Sequence, residues 1–230
     1  MSRSPHVLKV VTHWYAFRLL ARRFSMFTWI GAPNGGFALK NHQALLAAMC
    51  LGIASFSSQA ATYYWDTNDS TAGFGTAGGT WAAPTTNNST QGWSASSAGT
   101  SSLSGTTTTT TSDALNFGTG SDGLATGTVT VSGSLSAGSI TFGAASGNIT
   151  LATANQTITL GTGGVITVDS NYATIVPKIA GSNGLTKNGT GTLVVPIPST
   201  YSGTTTVNGG TLRLENLTTN GGADLKGMLS

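Results

Sequence analysis

The chain has 230 residues, with 10 Lys or Arg and 7 Asp or Glu, so charged residues make up 7% of it, where an ordinary soluble domain carries about 25%. Arg3, Lys9, Arg18, Arg22, Arg23 and Lys40 all precede residue 61 with no acid among them, whereas Lys178, Lys187, Arg213 and Lys226 are outnumbered by Asp66, Asp69, Asp113, Asp122, Asp169, Glu215 and Asp224 in the remainder. The basic balance therefore belongs to the N-terminal segment and does not point to a nucleic-acid partner. His6, His13, His42 and Cys50 also lie before residue 61, which excludes from the rest a Ser-His-Asp or Cys-His nucleophile, a thiolate or imidazole metal site and a disulfide.

Ala44 to Phe56 is a 13-residue, largely apolar run after Lys40, followed by Ser57-Ser58-Gln59-Ala60. Its length suits the core of a signal peptide and falls short of the ~20 residues of a spanning helix. Small Ser58 and Ala60 stand at the −3 and −1 positions of a cleavage between Ala60 and Ala61. Residues 1–60 are thus expected to be a helical signal peptide with a long basic start, in which Met1 and Met26 are alternative beginnings, leaving no membrane span in the mature chain.

Residues 61–93 open the mature part with Thr62-Tyr63-Tyr64-Trp65-Asp66, and Trp81 and Trp93 follow. Two readings are open for Trp65, Trp81 and Trp93: a platform on which sugar rings stack, or a local core that caps the open end of a β-stack, which is preferred. Asp66-Thr67-Asn68-Asp69-Ser70 has the acceptors of a calcium loop, but Thr71 stands where its glycine belongs and Ala77 where its closing glutamate belongs, so no metal site is expected. Residues 94–125 contain the Ser/Thr/Gly-rich stretch Ser94 to Ser112 with six consecutive Thr, read as a loop or irregular edge, partly extended because Thr is β-branched.

Over residues 126–183 an apolar-Thr-apolar unit recurs at Val129, Ile140, Ile149, Ile158 and Ile166, in steps of 11, 9, 9 and 8. The alternation puts both apolar side chains on one face of a strand and Thr on the other. Spacing alone is compatible with an antiparallel meander or with a β-solenoid whose successive strands occupy different sides of a coil. The monotony and the missing charge favour the solenoid.

Residues 184–214 read Gly184-Leu185-Thr186-Lys187-Asn188-Gly189-Thr190-Gly191-Thr192-Leu193 and then Tyr201-Ser202-Gly203-Thr204-Thr205-Thr206-Val207-Asn208-Gly209-Gly210-Thr211-Leu212. This resembles the autotransporter-associated β-strand repeat, GLTKxGxGTLxL followed by YxGxTxVxxGTLxL. The resemblance implies an all-β, right-handed parallel β-helix passenger shown outside a Gram-negative cell or in its periplasm. As one coil of such a helix, Leu185, Leu193, Val195, Val207, Leu212 and Leu214 would face inward, Lys187 would be a solvated turn lysine and Tyr201 a stacking tyrosine. Pro196 and Pro198 depart from the pattern and, lacking an N–H, are expected to end or bend their strand. Residues 215–230 form a tail without the strands of an outer-membrane barrel, so the chain is expected to be a short or truncated member.

The functional expectation is an exported, non-catalytic structural or adhesive surface protein without a cofactor, its partners a surface polysaccharide or other repeat proteins. The alternatives are a carbohydrate-binding module using Trp65, Trp81 and Trp93, or a fragment of a polysaccharide-active enzyme. The enzyme is disfavoured because the seven acids are dispersed along the chain.

Overall fold

Thr alternating with Val, Ile or Leu suits extended backbone on both counts: the branched Thr side chain restricts its own rotamer, and the apolar partners gather on one face. In a computed structural model, which describes residues 59–169 and 172–215, this pattern yields sixteen strands and no helix among the described residues. The leader expected over 1–60 and the tail expected over 215–230 lie outside the described residues except for Gln59, Ala60 and Glu215.

The strands are β1 (Thr62–Asp66), β2 (Thr80–Trp81), β3 (Thr85–Thr86), β4 (Gly92–Ser94), β5 (Thr106–Thr107), β6 (Ala114–Phe117), β7 (Gly127–Val131) and β8 (Ser134–Phe142), then β9 (Ile149–Ala152), β10 (Thr157–Val168), β11 (Tyr172–Ile175), β12 (Lys178–Ala180), β13 (Leu185–Asn188), β14 (Thr192–Val195), β15 (Thr205–Val207) and β16 (Thr211–Leu214). They form one sheet in the order β15-β13-β10-β8-β6-β1-β4, with β12 also beside β10, and a second in the order β16-β14-β11-β9-β7-β2. The chain thus visits the two sheets in turn. From β6 onward every pairing is parallel, which excludes the meander and makes this a parallel β-solenoid.

Register decides what the interior contains. Leu115, Ile140, Ile166, Lys187 and Val207 stack on one another from coil to coil, 20 to 26 residues apart, and Phe117, Phe142 and Val168 form a neighbouring ladder. Across the interior, Ile149, Ala173, Leu193 and Leu212 stack in the second sheet. Parallel neighbours lie about 4.8 Å apart, so each inward side chain rests on one from the preceding coil. The step of eight between Ile158 and Ile166 is not a strand-to-strand step: both lie on β10, which slips register against β8 between Leu160 and Val165. The extra glycines of that segment bend one long strand around a corner.

The first coil is the exception. Between β2 and β6 the chain makes the β3–β5 antiparallel pair and sends β4 back antiparallel along β1, so the edge of the first sheet is covered by the chain itself. Part of the Thr run belongs to this cap: Asn87 donates to Thr107 Oγ1 at 2.8 Å, and Thr109 is buried. At the other end β14 stops at Val195, directly before Pro196. The chain returns with Thr200 and Tyr201 donating to the Ile179 carbonyl.

Corners bring backbones of successive coils together. Gly184 has φ +78°, and a Cβ there would overlap the carbonyl oxygen of Thr204 in the next coil. Gly105 shares the left-handed conformation, with φ +74°, but faces open space. Both alanine substitutions incur the ~1–2 kcal/mol cost of a left-handed non-glycine residue; only Gly184→Ala adds the steric conflict between coils. Gly184→Ala is therefore expected to lower stability by at least about 2 kcal/mol and Gly105→Ala by less, as read from the two denaturant midpoints.

Candidate functional site

Four groups of side chains stand apart from the aliphatic stack. The first is the tryptophan set. Trp65 and Trp81 are fully buried and Trp93 nearly so. Trp65 and Trp93 face each other across the antiparallel β1–β4 register, with ring centroids 4.9 Å apart edge to face. Trp81 meets Trp93 at 5.4 Å, and Trp93 meets Phe117 at 5.6 Å, edge-to-face geometries that favour aromatic contact. Trp65 Nε1 donates to the Gly78 carbonyl at 2.9 Å and Trp81 Nε1 to Thr109 Oγ1 at 3.3 Å; Trp93 Nε1 is buried without a partner. The three indoles are thus brought together, and their faces are covered by one another and by Phe117.

The second group is the Asp66 turn. Asp66 Oδ1 accepts from the Asn68 N–H at 2.9 Å, Asp69 is left-handed with φ 57°, and its Oδ1 accepts from the Leu103 N–H at 2.6 Å. The would-be calcium loop is a local turn tied to the cap. Asp66 is fully buried and its Oδ2 has no hydrogen-bond partner. Burial pushes its carboxyl up to about 6 from an ordinary 3.8, against the lowering effect of the Asn68 N–H. Among the described residues no three His, Cys, Asp or Glu side chains converge on a common point.

The third group corrects an expectation. Lys187 is not a solvated turn lysine: strand parity points it inward, in register with Ile166 and Val207, and it is fully buried. Its ammonium donates to the carbonyls of Asn188 at 2.7 Å, Gly189 at 3.0 Å and Gly209 at 3.1 Å. The last belongs to the following coil, so the side chain ties two corners together. Burial lowers the Lys187 pKa, while the negative charge of Asp169 works in the opposite direction. Tyr201 is buried against the core, its hydroxyl 2.8 Å from Thr205 Oγ1. Val207, expected inside, is 39% exposed, and Leu212 and Leu214 are only partly buried, because they belong to the last described coil.

The fourth group is the outer face of the first sheet. Asn116, Thr141, Thr167 and Asn188 stack in register on successive coils, and Asn208 extends the row by donating to Asn188 Oδ1 at 2.9 Å. This is an uncharged row of hydroxyls and amides, one per coil. Outward ladders of Thr and Asn are expected of stacked coils, but which residues align is set by a register that joins Asn116 to Asn188 across residues far apart in the chain. At the expected cleavage point, Ala60 is exposed and Ala61 half-buried at the entrance to β1. No helix of the described residues is long and apolar enough to cross a membrane.

A parallel solenoid with a closed aromatic first coil and a polar outer ladder has the architecture of a surface-displayed repeat protein. The family described as the passenger-associated transport repeat matches residues 185–214, which supply β13 to β16. Over 188 residues, 80% of its own length, the chain is 34% identical to the adhesin BmaC autotransporter of Brucella suis biovar 1 (strain 1330), of which it spans 5%. No solved structure matches the chain. The repeat over residues 185–214 and the identity to this relative support a protein of autotransporter-passenger type.

Two outcomes follow from the buried charges. Because the folded Asp66 carboxyl titrates near 6 and the unfolded one near 3.8, its contribution to stability is fully present below the unfolded value and is lost as pH rises through 6, by up to about 3 kcal/mol. Asp66→Asn should flatten the stability profile between pH 4 and pH 6.5 and raise the neutral-pH denaturant midpoint. For Lys187 the folded pKa is lowered, so burying the charge opposes folding at neutral pH and this opposition fades as pH rises toward the unfolded value. Lys187→Met keeps the stem but strands three carbonyls; it should cost about 2–3 kcal/mol at pH 7 and abolish the rise in stability on the alkaline side.

Proposed function

We propose that this chain is a non-catalytic, adhesive part of an exported surface protein, and that the Asn116–Thr141–Thr167–Asn188 row is the face it offers to its target. The observation that carries the reading is the row itself: a repeated, uncharged set of donors and acceptors held at one spacing by parallel register. Hydroxyls and amides there can pair with the hydroxyls of a surface polysaccharide or with the matching row of another repeat protein, and no salt-sensitive charge pairing is involved. The similarity to an adhesin supports the same reading. Trp65, Trp81 and Trp93 are assigned to closing the first coil rather than to stacking on sugars, since their faces are occupied.

Within this reading residues 1–60 are the export leader, cut between Ala60 and Ala61. Residues 61–93 are the Trp-rich cap and 94–125 the Ser/Thr/Gly-rich segment after it, residues 126–183 and the repeat at 184–214 are the strand repeats, and 215–230 are the C-terminal tail. The test is attachment of cells displaying the protein. Thr141→Lys with Thr167→Glu, an opposite-charge pair in register that a sheet tolerates, should reduce attachment severalfold while surface level and thermal unfolding stay unchanged. Undiminished attachment by that variant, or cleavage of a polysaccharide by the purified chain, would overturn the proposal.

A further inference from the structure

Asp113 is 3% exposed and stands one coil above the start of β1. Its Oδ2 accepts from the Thr110 N–H at 2.7 Å and the Thr110 hydroxyl at 2.8 Å. Its Oδ1 accepts from the Ala61 N–H at 2.9 Å. The carbonyl of Asp113 is engaged by Gly138 N at 2.7 Å and Ser139 N at 3.2 Å of the next coil, and the Ala61 carbonyl accepts from Ala114 N at 2.8 Å. Ala61 is therefore fixed on both its amide and its carbonyl, whereas Ala60 before it is exposed. A buried carboxylate is stable when it is paired with a cation as well as hydrogen-bonded. Among the described residues the only ion pair joins Arg213 and Glu215, so each donor observed on Asp113 is neutral.

We propose that Asp113 is a receptor for the α-ammonium of the mature chain, and that removal of the leader supplies its missing cation. The proposal rests on the reading of Ala60/Ala61 as the cleavage point. Hydrolysis of that peptide bond adds the hydroxyl of water to the Ala60 carbonyl carbon, and the C–N bond breaks. The nitrogen of Ala61 takes the remaining proton to become an amine, and the proton released by the new Ala60 carboxyl balances the one the amine binds at neutral pH. Free α-amino groups titrate at about 7.7–8.0, so the nitrogen already lying against Asp113 becomes a cation at neutral pH, without the chain having to move. The neutral amide hydrogen bond is replaced by a partly buried ammonium–carboxylate pair, and processing tightens the first coil.

The first strand begins at Thr62, so a chain beginning at Ala61 keeps every described strand. That chain, released from a fusion by a protease that leaves no extra residue, is compared with the same chain Nα-acetylated and with Asp113→Asn. The free-amine protein should melt about 2–4 °C above the acetylated one, the shift that ~1 kcal/mol produces in a chain of this size, and Asp113→Asn should erase the difference. The Ala61 amine should also react severalfold more slowly with an acylating reagent at pH 7.5 than the amine of an unstructured Ala-Thr-Tyr-Tyr peptide. If Asp113→Asn does not fold, the acetylation and reactivity comparisons decide alone. Equal melting temperatures, or an amine as reactive as the peptide's, would overturn the clamp. Mass spectrometry of the exported protein separately tests the cleavage point: an N-terminus other than Ala61 would remove its role in maturation whatever the melting curves show.

Discussion

Every coil of this protein is built on the one before it: an inward side chain is buried only if a side chain in register below it covers one side. Leu115 under Ile140 under Ile166 satisfies that condition, and so does each aliphatic position of the stack. The first coil has no predecessor. Its inward positions are taken by the largest residues available, Trp65, Trp81 and Trp93, which with Phe117 of the next coil cover one another at centroid distances near 5 Å. The antiparallel return of β4 along β1 follows from the same need, because a parallel sheet edge left open would pair with any other strand.

Much of this is legible in the sequence, and most of what is not has a common cause. Alternation of Thr with Val, Ile and Leu identifies strands and their buried faces from neighbours two residues apart, and the Gly184 to Leu212 motif identifies one coil. Long-range register cannot be read that way. Ile158 and Ile166 looked like two strands because the bulge of β10 mimics a turn. The row from Asn116 to Asn188 was invisible because it joins residues of four coils. Lys187 was misplaced for another reason: parity in Leu185-Thr186-Lys187-Asn188 puts it inside with Leu185, yet its charge suggests solvent. Parity prevailed because the corner supplies three carbonyls within reach of the ammonium.

Apart from the exposed Arg213–Glu215 pair, the charges placed above act on the backbone rather than on one another. Lys187 binds carbonyls at a corner between coils, Asp113 binds N–H and hydroxyl donors where the first coil meets the second, and Asp69 reaches a backbone N–H of the cap. Charge-assisted hydrogen bonds of this kind are stronger than neutral ones and are directional enough to hold a turn in place. The outer faces, relieved of any stabilising role for charge, are free to be uncharged. The outward row of Thr and Asn is compatible with the fold for that reason.

Coil-to-coil register also makes length a free variable. Since each coil contacts only the one below and the one above, a whole coil of about 20 residues could be duplicated or lost at the level of the gene and the flanking coils would meet the same kind of neighbour as before. Insertion or deletion of one residue within a strand is far more disruptive, because it exchanges the inner and outer faces of everything up to the next turn. Variation within such a protein is thereby channelled into two kinds that leave the stack intact: reach, altered in whole coils, and outward side chains, altered one at a time.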